Sequence, residues 1–116
     1  MNNRPTYHEV GPITRTEALR ELASDDPLRI ARALVSVALH EPELGWAQQQ
    51  CEKYASHPAA DVRGVVATCL GHLARIHRRL DLTTATPLLQ QLAQDPDVAG
   101  RVEDALDDIR LFLKPR

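Results

Sequence analysis

The chain has 116 residues, of which 43% are hydrophobic, 26% are charged and only 3% are aromatic. This length accommodates one domain with one modest core, and the scarcity of aromatic residues predicts an aliphatic, alanine-rich core of the kind found between closely packed helices. The formal net charge of −2 argues against a general attraction to nucleic acid or to anionic lipid.

Targeting and redox features favour the cytoplasm. No apolar run in the sequence is long enough to span a membrane, and residues 1–10 are polar, unlike a signal peptide. The two cysteines, without a secretory context, predict free thiols. We therefore expect a cytoplasmic chain with no membrane contact.

Residues 1–13 are predicted to form an extended N-terminal arm, because proline and glycine recur in them. A single helical domain is expected over residues 14–116. Thr14 and Glu17 have the spacing of a capping box, which predicts the start of the first helix.

A short proline-containing pattern occurs three times in the helical part. A large residue followed by Ala leads through polar residues to Asp or His and then Pro in the segments Leu22–Pro27, Tyr54–Pro58 and Leu92–Pro96. The first residues of these segments are 32 and 38 positions apart, a range expected for stacked helical hairpins. Each unit is predicted to contain a first helix, a turn and a second helix that the proline opens.

Apolar residues in each unit follow the α-helical period. On the second helices, the predicted buried stripes are Ile30, Leu34 and Val37, then Val62, Val66, Cys69, Leu73 and Ile76, then Val98, Val102, Ala105, Ile109 and Phe112. On the first helices, the predicted pairs are Leu19/Leu22, Cys51/Tyr54 and Leu89/Leu92.

The expected boundaries follow from these stripes and from the turn residues. The first unit ends at His40–Pro42, the second has helices from about Leu44 to Ala55 and Ala59 to His77, and the third has a helix capped by Thr84 or Thr86 and opened by Pro87, then a last helix from about Asp97 to Leu113.

The run Pro58–Leu73, PAADVRGVVATCLGHL, strongly resembles a HEAT repeat. In that family a proline lies in the turn between paired helices, Val-Arg opens the second helix, and an Ala-x-x-Leu-Gly-x-Leu string follows. The segment Gln94–Val98 is similar, although Ala99 stands where Arg is usual, and the first unit has Ile30–Ala31 in place of Val-Arg. The resemblance covers about residues 14–113 and implies an all-α solenoid of three helical hairpins, with about six helices.

Two longer strings, WAQQQCEKYASHPAADVRGVVATCLGHLARIH and VEDALDDIRLFL, are similar to small bacterial HEAT proteins grouped with the immunity proteins of contact-dependent growth inhibition (CDI) systems. This resemblance implies a protein that binds and neutralises the C-terminal toxin domain of a large secreted effector. Many such toxins are nucleases, which implies a partner with a basic cleft.

The sequence contains no motif that predicts catalysis. The five histidines lack metal-binding spacing, and His72 and His77 are expected on different faces of one helix. Cys51 and Cys69 occupy positions that hold apolar residues in the other units, so we expect them to be buried. Nucleotide-binding and nucleophile motifs are absent from the sequence, and we expect no cofactor, no metal and no enzyme activity.

The last helix is predicted to carry an acidic face. Between Asp95 and Asp108 there are six acidic residues and one basic residue. Asp104, Asp107 and Asp108 are expected to share the face opposite the apolar stripe. Glu103 adds to the same charge. This face is either a solvated helix surface or a patch that mimics nucleic acid and meets a basic partner.

The second helices of the units are expected to line the concave side of the solenoid. There, His72 and Arg75 join the acidic residues as candidate partner-binding residues. Gly64 and Gly100 match each other in register and indicate close helix packing or close approach of a partner. Trp46 is expected to pack against the first unit, and it is the best anchor of an interface if it is exposed.

Three functions are compatible with these features. The first is an immunity protein that blocks a toxin, which can be a nuclease, by occluding its active site. The second is a HEAT-repeat scaffold or adaptor for a regulatory protein. The third, a nucleic-acid-binding HEAT protein of the DNA-glycosylase type, requires a basic groove, and the acidic last helix argues against it. Direct nucleic-acid binding is therefore not expected.

Overall fold

The computed structural model describes residues 10–113. Six helices occupy most of this range and none of it forms a strand, so the all-α prediction is confirmed. Residues 1–9 of the predicted arm and residues 114–116 of the predicted domain lie outside the described part. The helices are α1 (Arg15–Leu22), α2 (Pro27–His40), α3 (Leu44–Glu52), α4 (Ala60–His77), α5 (Leu82–Ala93) and α6 (Ala99–Phe112).

Consecutive helices pair into three hairpins, α1 with α2, α3 with α4, and α5 with α6. The second helices of the hairpins form one layer, in which α4 lies between α2 and α6 and makes the most extensive contacts of the molecule. The first helices pack on this layer, with α3 touching α2 and α4, and α5 touching α4 and α6. The described part measures 40 × 31 × 28 Å, so three hairpins make only a short stack.

The predicted stripes of the second helices form the core. The buried members are Ile30, Leu34, Val37, Val62, Val66, Cys69, Leu73, Val98, Val102 and Ala105, while Ile109 and Phe112 are half-buried. Two predicted core residues are instead exposed. Leu19 is 49% exposed because α1 packs chiefly on α2. Ile76 is 41% exposed in the last turn of α4, whose 18 residues outreach the 9 residues of α3.

Short polar contacts define where the first hairpin begins. The predicted capping box is present, since the Glu17 N–H donates to Thr14 Oγ1 at 3.0 Å and the Thr14 N–H donates to Glu17 Oε1 at 3.1 Å. Asp26 caps α2 by accepting from the Leu28 N–H at 3.0 Å, and Pro27 is the first residue of that helix.

The other two repeat prolines do not open helices as predicted. Pro58 and Pro96 lie in the turns before α4 and α6, which begin at Ala60 and Ala99. Those two N-termini have no side-chain cap, in contrast to α2. Apolar residues keep the helical period through both turns. A prediction from that period therefore starts α4 and α6 too early.

The predicted start of α5 is wrong. The helix begins at Leu82 and is capped by Asp81, so neither Thr84 nor Thr86 caps it and Pro87 lies inside it. The proline lacks an N–H and removes one internal hydrogen bond there.

A buried glutamine of α3 explains the early start of α5. Gln48 is 4% exposed, and its amide nitrogen donates to the Asp81 carbonyl at 2.8 Å while its amide oxygen accepts from the Asp81 N–H at 3.0 Å. This pair of bonds holds the loop between α4 and α5 against α3. Such a contact between distant parts of the chain leaves no periodic signal in the sequence.

The first helix of the second hairpin is shorter than predicted. α3 ends at Glu52 rather than Ala55, because the next residues form tighter turns. The N–H groups of Tyr54 and Ala55 each bond to the carbonyl three residues earlier, at 3.3 Å.

Both cysteines are free and fully buried, as predicted. Cys51 of α3 and Cys69 of α4 are neighbours across the second hairpin, and burial, together with the neighbouring thiol, raises the pKa of the Cys69 thiol. Since both side chains are fully buried, both residues serve as small core side chains.

An arginine joins the turns of the second and third hairpins. Arg63 donates to the carbonyls of His57 at 2.9 Å and Pro58 at 2.8 Å, and its Nε donates to Asp95 Oδ2 at 2.9 Å. Its Nη2 also lies 3.6 Å from Asp97 Oδ2. The Asp97 N–H and the Arg63 guanidinium together lower the pKa of Asp95. One guanidinium therefore satisfies acceptors from two successive turns.

Replacing this arginine should destabilise the fold. Arg63→Ala leaves two carbonyls and a carboxylate without their charged donor, so we expect a loss of about 2 kcal/mol in the free energy of unfolding. Urea denaturation followed by circular dichroism measures it. Arg29→Ala is the matched control, because the Arg29–Glu21 pair is exposed and its loss should change stability by less than about 1 kcal/mol. Equal stabilities of the two variants would contradict this role of Arg63.

Candidate partner-binding face

We call the side of α2, α4 and α6 that points away from α1, α3 and α5 the outer face. It contains four of the predicted partner-binding residues, His72, Arg75, Asp104 and Asp108, while Glu103, Asp107 and Trp46 lie outside it. Its members are Arg32, Ser36 and His40 on α2, then Gly64, Thr68, Gly71, His72 and Arg75 on α4, then Arg101, Asp104, Asp108 and Leu111 on α6.

The N-terminal segment contacts the α2 part of the outer face. Ser36 Oγ donates to the Gly11 carbonyl at 2.7 Å, and His40 Nε2 donates to the Val10 carbonyl at 2.8 Å. Ser36 is consequently 2% exposed. A groove of about 450 Å³ lies between this segment and the exposed Arg32. The segment thus buries Ser36, while Arg32 and His40 stay exposed, and the part of the outer face free of this segment is formed by α4 and α6.

Two glycines let α6 side chains lie across α4. A Cβ added at Gly64 would be 2.7 Å from Cδ of Arg101, so the arginine occupies the space that a side chain would fill. A Cβ added at Gly71 would be 3.0 Å from Asp108 Oδ2 and 3.2 Å from Cα of Ala105. The two glycines therefore permit close approach of the helices and bring charged groups of α6 over α4.

His72 and Arg75 lie together on this face, as the helical spacing predicts. His72 Nδ1 is 3.2 Å from Arg75 Nη2 and accepts its hydrogen bond. Burial lowers the pKa of His72, the Arg75 charge lowers it further, and Asp108 opposes the shift. At neutral pH the face therefore presents an uncharged imidazole between a cation and an anion.

The predicted acidic residues divide between two strips of α6. Asp104 and Asp108 are one helical turn apart, on the strip next to α4. Glu103 and Asp107 form the neighbouring strip, on the side away from α4, and Asp107 accepts a bond from Arg110 at 3.1 Å. Asp104 is exposed and Asp108 is half-buried. With Arg75 and Arg101 beside them, the strip next to α4 has mixed charge rather than purely acidic charge.

Trp46 lies elsewhere. The Arg15 guanidinium is 4.6 Å from the centre of its ring, and the half-buried indole lines a small groove with residues of α1 and α2 that include Val37 and Glu41. The prediction that Trp46 packs against the first hairpin is confirmed. The structure does not bring it together with His72 and the acidic residues.

Sequence reasoning missed two members of the face. In the sequence, Arg101 stands out only as the one basic residue among the six acidic residues between Asp95 and Asp108. Gly71 stands out only as part of the HEAT-like run. The repeat of glycine at Gly64 and Gly71, seven positions apart on one helix face, is the signal that could have indicated a close approach there. The predicted match of Gly64 with Gly100 does not extend to their surroundings, since a Cβ at Gly100 would meet no atom within 4 Å.

Residues 10–113 contain no group of three or more histidine, cysteine or acidic side chains placed to hold a metal ion. In the same range, no helix has the length and apolar character needed to cross a membrane. The outer face carries charged side chains of both signs, none of which belongs to a salt bridge within residues 10–113.

One solved structure is similar over nearly the whole chain. A chain of the crystal structure of a CDI complex from Cupriavidus taiwanensis LMG 19424 is 37% identical to this one, with a TM-score of 0.81. The alignment covers 94% of this chain and 98% of that chain. No protein-family model matches the sequence, and no curated protein matches it.

The lowered pKa of His72 predicts a dependence of stability on pH. The unfolded chain takes up a proton at this side chain at a higher pH than the folded chain does, so the contribution of neutral His72 is present above about pH 6.5 and is lost as the pH falls below it. His72→Gln removes this proton uptake. Its free energy of unfolding should fall less steeply than that of the unmodified chain between about pH 7 and pH 5, as measured by urea denaturation in a pH series. Parallel curves would contradict the assignment.

Proposed function

Because this chain belongs to the same family as the matched protein of the Cupriavidus taiwanensis CDI complex, we propose that it is a CDI immunity protein that binds and neutralises a cognate toxin domain. The observation that carries the proposal is the extent of the match. It includes 94% of this chain at 37% identity, and therefore all six helices of the fold rather than one repeat motif.

The proposed mechanism is stoichiometric binding, without catalysis by this chain. The immunity protein covers the active site of the toxin, so that substrate cannot enter. Such a role requires a surface that is exposed and rigid. The α4 and α6 part of the outer face has both properties, since its floor is the packed centre of the molecule and its side chains include the exposed Arg75 and Asp104.

The proposed interface contains His72, Arg75, Asp104 and Asp108, with Glu103 and Asp107 at its edge. Three of its acidic residues, Glu103, Asp104 and Asp107, are exposed. A toxin with a basic cleft, such as a nuclease, would be attracted by these charges, and the attraction would speed association and reject unsuitable partners. Trp46 would form a separate contact beside α1, if the toxin extends that far.

Three further parts of the proposal concern the chain itself. We infer that the hairpins are HEAT-like repeats of a short solenoid, supported by the proline turns and by Arg63 at the Val-Arg position. We infer that residues 1–13 act as an arm on a single domain of residues 14–116, supported by the bonds of Val10 and Gly11 to α2. We infer action in the cytoplasm, where an incoming toxin domain would meet it.

Co-expression tests the proposed function. The first step is to sequence the DNA beside this gene, and the probe is the C-terminal domain of a large secreted effector found there. The absence of such an effector would also count against the proposal. We expect that domain to arrest growth when it is produced alone, and to co-purify with this chain in a 1:1 complex when both are produced. Arrest that persists in the presence of this chain, with no complex formed, would contradict the proposal.

Charge substitutions test the interface. Asp104→Lys combined with Asp108→Asn reverses one carboxylate and neutralises the other while retaining the size of the side chain over Gly71. We expect association with the toxin domain to slow by about tenfold or more and to depend less on salt. Stopped-flow measurements at several salt concentrations give both values.

Asp25→Lys is the control for this pair, with a charge change of +2 against +3 for the pair (+2 from Asp104→Lys and +1 from Asp108→Asn). Asp25 is exposed in the turn before α2 and is not a member of the outer face, so its reversal changes the net charge without altering that face. It should leave the association rate nearly unchanged. Equal slowing by both variants would mean that overall charge, and not this face, governs association.

A further inference from the structure

The Arg101 side chain lies across α4 at Gly64. Its side chain crosses Gly64, where an added Cβ would lie 2.7 Å from Cδ, 3.0 Å from Nη1 and 3.3 Å from Nε. The residue is half-buried, in a region where Gly64 itself is buried. A long side chain that usually moves freely is therefore laid flat against a helix.

No salt bridge of the described residues involves this guanidinium. Within residues 10–113 the salt bridges involve Arg15, Arg29, Arg63 and Arg110, and Arg101 belongs to none of them. Asp61 and Asp97 line the same small groove, but neither forms a salt bridge with Arg101, and Asp97 lies 3.6 Å from Arg63. A partly desolvated cation with unused donors gains most from an acceptor supplied by another molecule.

The position of Arg101 favours a protein carboxylate as that acceptor. Its planar fork matches the two oxygens of a carboxylate, and a side chain already held in place loses less entropy on binding. Arginine is also enriched among the residues that dominate interface energies. The exposed Asp104 is one turn further along α6, so the same strip also offers an anion.

We propose that Arg101, seated on Gly64, is a specificity-determining residue that binds an acidic side chain of the toxin domain. This proposal rests on the proposed function and adds a partner chemistry to it. The toxin surface then carries an acidic group opposite Arg101 and a basic group opposite Asp104. Recognition depends on the order of charges along α6, so a partner that is only basic would bind less tightly.

Gly64→Ala tests whether the Arg101 side chain must lie across Gly64, and it changes no charge. The added methyl group displaces the Arg101 side chain, which is flexible, and alanine favours a helix more than glycine does, so the fold should be retained. Gly100→Ala is the matched control on α6, because its added methyl group meets no atom within 4 Å. Arg101→Ala removes the guanidinium, and Arg101→Lys keeps the charge but not the fork.

The measurement is the Kd of each purified variant for the C-terminal domain of the neighbouring effector, by isothermal titration calorimetry. We expect Gly64→Ala and Arg101→Ala each to weaken binding by about tenfold or more, Arg101→Lys to remain weakened, and Gly100→Ala to bind within about twofold of the unmodified chain. Gly64→Ala added to Arg101→Ala should cause little further loss, because both changes remove one contact.

Different results would contradict the role of Arg101 and the immunity function. Unweakened binding by Arg101→Ala, with growth protection intact, would overturn the role of Arg101 and leave the immunity function standing. An unmodified chain that neither binds the toxin domain nor protects growth would overturn the immunity function, and the assignment of Arg101 with it.

Discussion

The packing of α4 between α2 and α6 is the constraint on which the rest of the structure depends. The middle of α4 is fully buried, and α4 makes the most extensive contacts among the described helices, with α2, α3, α5 and α6. Its apolar side faces α3, and its glycines face α6. A change in α4 therefore alters the core and the outer face together. Close approach of α6 at Gly71 leaves little room for adjustment, since the nearest atoms there include the backbone of Ala105.

The properties of the outer face follow from that packing. Because α6 approaches α4 closely, Arg101 and Asp108 lie over α4, and Asp108 is near His72. The N-terminal segment bonds to Ser36 and His40 on the α2 side. The result is a strip of mixed charge on the packed centre of the molecule. Close packing of this kind lowers the entropic cost of binding and suits an inhibitor that must hold a toxin tightly.

The sequence predicted the features that repeat along the chain. The period of apolar residues identified Leu34, Val66 and Val102 as core, and the spacing of Thr14 and Glu17 identified a cap, because local geometry alone determines both. Features that depend on contacts between distant residues were not predicted. Gln48 moves the start of α5 to Leu82 through bonds to a loop 33 positions away in the chain.

The candidate site divides in the same way. Helical spacing alone places His72 and Arg75 on one face of α4. It also determines where that face lies relative to the apolar stripe of the helix. The position of Arg101 depends on the distance between α4 and α6, which the composition of either helix alone does not determine. The acidic character of α6 was likewise overestimated for the strip next to α4, because the sequence does not tell which side chains of α4 and α6 lie side by side.

The most direct test is a crystal structure of this chain in complex with its cognate toxin domain. We expect the domain to sit on α4 and α6, with a carboxylate within hydrogen-bond distance of Arg101 and a basic side chain beside Asp104. A domain seated on α1, α3 and α5, with the outer face open to solvent, would contradict this expectation.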